Sequence, residues 1–251
     1  MSLSARFDPL QLEDAEPYDE QLPDYEPATA PEYDGADYES PLYTYFLRQL
    51  DRRTQVFEPC GLGSGPAYQV STRSNLQSLF NKKPEIEVTG TSQASICSIA
   101  FVNSGPYPWR PRARFSHMSS VGTTTFPMES LNFSDWTVCI EGLTFLWQLE
   151  SRPMSLVLKE ISAALIIARF TYSACGIDAA CGAEIGDLTI FPDGLSVNLE
   201  GVERIICSLL VPIAHFRKMG KHYRNDEATR RNSWTIARLP PIVPRIAGYG
   251  Q

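Results

Sequence analysis

Histidine is scarce in this chain, at three of 251 residues, and the signatures of common catalysis are absent. No serine stands in a Gly-x-Ser-x-Gly elbow, no His-Glu-x-x-His occurs, and no glycine loop ends in Gly-Lys-Ser/Thr. The segment Cys60-Gly61-Leu62-Gly63-Ser64-Gly65-Pro66 lacks the third glycine at dinucleotide-binding spacing and reads as a turn. His215 and His222 stand seven apart, and Cys175 and Cys181 have the wrong spacing for a zinc pair. No metal or cofactor is therefore expected, and the chain does not read as an enzyme. An apolar run of about 20 residues, the length a bilayer-spanning helix needs, is also missing. So is the basic-then-apolar layout of a signal peptide after Met1.

Six cysteines sit at 60, 97, 139, 175, 181 and 207, with no Cys-x-x-Cys pair. Those at 97, 139 and 207 lie in apolar runs, where a free thiol packs as a small hydrophobe. Reduced thiols in an intracellular compartment are the default. Oxidation can still join Cys175 to Cys181 across a short loop.

Charge is unevenly spread. The formal net charge is −7, but residues 1–41 hold twelve acids against the single base Arg6, a local charge of −11. The remainder carries +4. Residues 1–42 are rich in proline and poor in β-branched residues, a composition that favours disorder. Acids flank Tyr18, Tyr25, Tyr33 and Tyr38, so this tail suits docking by its rings or tyrosine phosphorylation. A solubilising tail explains the same composition. The sequence places a folded body over residues 43–225 and a flexible C-terminal tail over 226–251.

Within the body, short segments rich in Val, Ile, Phe, Trp and Thr recur every 8 to 15 residues between turn signals. They include Glu85–Thr89, Ser95–Val102, Arg110–His117, Trp136–Glu141, Thr144–Leu149, Ser155–Glu160, Leu165–Tyr172 and Glu184–Phe191. No helical pattern separates them, so the spacing predicts an antiparallel sandwich or barrel, not βαβ units. Ser40–Phe57 reads as an entry segment tying the tail to the body.

One late helix is expected over residues 199–218. Val202, Ile205, Ile206, Leu209, Leu210, Ile213 and Phe216 recur at three- and four-residue steps. Asn198 or Ser196 can cap its start, with Glu200 and Glu203 favoured by the helix dipole. Its central part is apolar on nearly every side and must be surrounded. Pro212 predicts a kink or break, and His215 reads as a satisfied core histidine. A membrane anchor is the rival, for which the run is short.

Many short strands followed by one wholly apolar helix resemble the tubby C-terminal-like superfamily, which includes the LURP-one-related proteins and the phospholipid scramblases. The residues that carry the resemblance are Trp136-Thr137-Val138, Gly142–Leu149, Leu165-Ile166-Ile167-Ala168-Arg169-Phe170, Gly186-Asp187-Leu188-Thr189-Ile190 and the helix from Leu199 to Phe216. The resemblance covers roughly residues 65–220 and implies a mainly β fold: a closed antiparallel barrel of twelve strands around a hydrophobic C-terminal helix. It also implies phosphoinositide-type lipid binding in its tubby branch and membrane association in its scramblase branch. No lipid-binding motif of that superfamily maps onto this sequence residue by residue.

Two basic features are candidates for holding an anion. On a strand, Arg110, Arg112 and Arg114 share one face at intervals of about 6–7 Å, and each guanidinium offers a planar fork of donors. Pro111 places that strand at a sheet edge, where the charges also serve to discourage pairing. The second feature is the helix exit, with Arg217, Lys218, Lys221, His222 and Arg224. Cations there complement the helix dipole and suit an anionic membrane surface. Arg230-Arg231-Asn232-Ser233 resembles a basophilic kinase site, and phosphate on Ser233 would weaken such a contact. A body charge of +4 is too small for strong nucleic-acid binding.

The expected function is thus non-catalytic: an intracellular module for anionic lipid headgroups, in the cytoplasm or at a membrane periphery, the nucleus being left open. The alternative is a protein-interaction adaptor that binds a partner through residues 1–41, with the barrel as scaffold.

Overall fold

Alternation of inward apolar with outward polar side chains builds most of the described wall. The computed structural model describes residues 41–61, 65–73, 84–102 and 110–225, all within the second of two compact units, Asp37–Gln251. The acidic tail up to residue 40, its tyrosines, and residues 226–251 with Ser233 lie outside the described residues.

Twelve strands run in sequence: β1 (Tyr43–Gln49), β2 (Thr54–Pro59), β3 (Tyr68–Thr72), β4 (Ile86–Thr89), β5 (Ser95–Val102), β6 (Arg112–Ser119), β7 (Gly122–Ser130), β8 (Trp136–Ile140), β9 (Leu143–Ser151), β10 (Met154–Glu160), β11 (Ile166–Tyr172) and β12 (Glu184–Ile190). Each pairs antiparallel with its sequence neighbour, and β12 returns to β1 with Tyr43 opposite Ile190 and Tyr45 opposite Leu188. The sheet is a closed barrel. Closure gives every described strand a neighbour on both sides.

That closure corrects one expectation. The arginine strand β6 is no edge, because Arg112 pairs with Val102 of β5 and with Glu129 of β7. Pro111 sits just before β6, and its carbonyl accepts from the Ser130 amide at 2.9 Å. Two further corrections concern strands. The entry segment is in fact β1 and β2, and β7 goes unannounced, its Gly-Thr-Thr-Thr start being polar and exposed. Pro127 interrupts its pattern, but β7 pairs with β8 only from Met128 onward.

Inward positions carry Phe57, Tyr68, Ile99, Phe115, Trp136, Phe145, Trp147 and Phe170, all essentially inaccessible. Down this lumen runs α1 (Leu199–Lys218). Side chains on different sides of it meet different walls: Ser208 meets Trp147 on β9, Glu203 meets His117 on β6, and Arg217 meets Gln49 on β1. The helix is the core of the barrel. Asn198 caps it, accepting from the Gly201 amide at 2.7 Å. The expected break at Pro212 does not occur, since helical geometry continues through it to Lys218. Along β10–β12 outward positions are buried too, Arg169 being tied to Glu150 at 3.0 Å and to Ser155 at 3.3 Å.

Candidate functional site

An up-and-down meander sends every second connection to the same end of the barrel. One rim, where α1 leaves, gathers the described connecting residues 50–53, 73, 84–85, 110–111, 131–135, 152–153 and 173–183. The other, where α1 enters, gathers 60–61, 65–67, 90–94, 120–121, 141–142, 161–165 and 191–198. The rims differ in charge.

In the described parts of the exit rim and the helix end stand nine cations: Arg52, Arg53, Arg73, Arg110, Arg152, Arg217, Lys218, Lys221 and Arg224. Four carboxylates accompany them: Asp51, Glu85, Asp135 and Asp178. At the entry rim the balance reverses, with Glu141, Asp193, Glu200 and Glu203 against Arg204. Exposed apolar side chains also favour the entry rim, where Val121 is 95% and Val197 76% accessible and Leu143 and Ile161 are exposed.

Both sequence-predicted basic features belong to the exit end. Arg110 and Arg112 lie 3.7 Å and 3.3 Å from the same Glu129 oxygen, so two cations share one carboxylate. Arg114 follows on the outer wall, opposite Pro127 and fully outward. With Glu129 and Cys139, Arg112 and Arg114 flank an open groove of about 460 Å³ along the wall. Cys139 therefore faces out, contrary to the packing expected of it, because its neighbours Val138 and Ile140 take the inward positions. Cys175 and Cys181 are free and exposed.

At the helix end the residues divide. Lys218 is paired with Glu85 and stands 3.6 Å over the Phe101 ring. Lys221 and Arg224 are exposed, and His222 lies 2.6 Å from Asp178. Arg217 turns inward instead, donating to Gln49 Oε1 at 3.1 Å and the Ile177 carbonyl at 3.3 Å. The Gln55 side-chain oxygen, in the amide orientation that satisfies both groups, accepts from both Arg217 terminal nitrogens at 2.9 and 2.8 Å. Burial pulls the Arg217 pKa below its ordinary value, with Asp178 opposing.

Arg52, Arg53, Arg73 and Arg152 had no signal as single residues. Counting charges in alternate connections of the meander is the signal that finds them. His215 also departs from expectation. Its Nε2 is buried without a partner, and its ring stands edge-on to Trp136 at 5.1 Å.

Polar groups inside the barrel offer no open chemistry. His117 and Glu203 pair at 2.8 Å, with His117 only 1% accessible. Burial raises the Tyr45 phenol to about 12 and pushes the Cys207 thiol up beside Cys97. Among the described residues no cluster of three or more His, Cys, Asp or Glu side chains could hold a metal. Among them too, no helix is long and apolar enough to cross a membrane.

No protein family, curated protein or solved structure matches this chain.

Proposed function

We propose that this protein is a non-catalytic binding module whose exit rim recognises the anionic headgroups of membrane lipids, phosphoinositides among them. The observation that carries the reading is the gathering of cations: among the described residues of one rim and the helix end nine stand against four carboxylates, while the opposite rim is acidic. Two of the nine, Arg73 and Arg110, pair also with Glu87 and Glu129 of the adjoining strands. A molecule polarised in this way presents one end to a negative surface and turns the other away. The surface-facing groups are Arg110, Arg112, Arg114, Lys218, Lys221 and Arg224, extended by Arg52, Arg53 and Arg152. Arg217 is left out because it faces inward. A lumen filled by α1 keeps recognition on the outside. The closed barrel around a helix is also the architecture that a tubby-like relationship implies, and that relationship is part of the proposal.

Vesicle co-sedimentation of the full chain tests it, comparing neutral with phosphoinositide-containing liposomes at low and physiological salt. Each basic residue near an anionic surface contributes about 1 kcal/mol, so Arg110→Glu/Arg112→Glu/Arg114→Glu weakens binding by about a hundredfold or more. Binding falls with added salt. No sedimentation with anionic vesicles at either salt rejects the lipid reading and moves the test to protein capture with and without residues 1–40.

A further inference from the structure

Between the last turns of α1 and the wall of β2, β3 and β4 lies a cavity of about 150 Å³. Its floor is apolar, made by Val70, Ile86, Leu210, Ile213 and Ala214. Its mouth is polar, and the charges there can be paired off one by one. Arg73 bonds Glu87 at 3.0 Å. Lys218 bonds Glu85. Arg217, the third cation, has no carboxylate within ion-pair distance among the described residues and is held by neutral acceptors: Gln49, Gln55 and the Ile177 carbonyl.

We infer that this cavity is a binding site for a small monocarboxylate with an apolar body, its carboxylate on Arg217 and its body against Leu210, Ile213 and Ala214. Three features set the ligand class. Among the described residues lining the cavity, the cations Arg73, Arg217 and Lys218 outnumber the carboxylate Glu85, with Glu87 beside Arg73 and Asp178 acting on Arg217, so an anion of low charge is favoured. Arg217 supplies a fixed positive charge, and a carboxylate accepts from the guanidinium hydrogens that Gln49, Gln55 and the Ile177 carbonyl leave unused. A cavity of about 150 Å³ lined by aliphatic side chains accommodates a body about the size of benzene. The cation already sits in place, fixed by side chains from β1 and β2, so little freedom is lost when an anion arrives. The site lies inside the wall and is separate from the outward cations proposed to meet lipid.

Benzoate is the probe, titrated into the full chain and followed by two-dimensional NMR, with benzyl alcohol as the uncharged control. Saturable shifts are expected for residues lining the cavity, with binding at least tenfold weaker for benzyl alcohol. Arg217→Gln removes the charge and is expected to weaken benzoate at least tenfold. Ala214→Leu fills the cavity while keeping every cation in the chain, is expected to abolish binding, and covers the case in which Arg217→Gln fails to fold. Arg110→Glu/Arg112→Glu/Arg114→Glu is expected to leave benzoate binding unchanged while vesicle binding falls, so the two proposals fail separately. No saturable benzoate shift, or a shift that persists unchanged in Ala214→Leu, overturns the inference.

Discussion

Ser208 shows how much a single hydroxyl can hold in a packed barrel. It donates to the Ile205 carbonyl and accepts from the Trp147 indole at 2.9 Å, joining α1 to β9 in a fully buried place. Ser208→Ala strands the indole N–H, and an unpaired buried donor costs about 1–3 kcal/mol. Thermal denaturation is expected to show a midpoint several degrees lower, with the fold retained. His215 makes a different statement, about pH. Burial, aided by Lys218, holds its pKa below the ordinary 6.5. As pH falls, the unfolded chain takes up this proton first, so protons favour unfolding. The stability is present above about pH 6.5 and is lost as pH falls from there toward the lowered folded value. The His215→Phe variant lacks that loss. Its melting midpoint is expected to fall less steeply than the parent's between pH 7.5 and 5, and equal slopes would remove His215 from the account.

Elements obey the constraints that their ends impose. A Cβ at Gly201 would meet the Leu195 carbonyl oxygen at 1.5 Å, so the first turn of α1 seats only without a side chain there. At Gly194, in the same connection, nothing lies within 4 Å. Gly201→Ala is expected to destabilise by about 1–3 kcal/mol or more, as overpacking does, while Gly194→Ala stays near neutral. A denaturant titration of both variants compares them directly. Such ends also explain what the sequence could and could not reveal. Strands whose inward residues are large, such as Trp136–Ile140 and Ile166–Tyr172, announce themselves by composition. The helix does so by its all-round apolar surface and by Asn198. β7 was hidden because its exposed threonines and Pro127 carry no burial signal. The continuity of α1 through Pro212 was hidden too, because burial on every side holds the helix together where local propensity would break it.

For the whole molecule, topology decides what residues cannot announce. Arg52, Arg110, Arg152 and Lys221 are far apart in sequence, and only the alternation of connections between two rims brings them to one end. Arg112 and Arg114 were legible as a strand face, while Arg110 lies before β6 and off that face; their neighbours on the rim were not legible. The same topology makes the barrel depend on its last element. Trp136 has His215 of α1 edge-on to its ring and Trp147 donates to Ser208 of α1, while closure joins the first strand to the twelfth. A chain ending at Asn198 is therefore expected to lose cooperative thermal unfolding and near-ultraviolet dichroism. A truncated chain that still melts as a folded β protein would show that the helix is not the core.

The two ends of the described chain leave the barrel from opposite faces, Leu42 beside the start of β1 at the acidic rim and Asn225 beside the β9–β10 and β11–β12 connections at the basic one. The backbone thus passes through the barrel from rim to rim, and does not enter and leave at one end. Leu42 and Asn225 are held apart by about the height of a strand. In the proposed seating of the basic rim on a lipid surface, Leu42 stands on the side facing away.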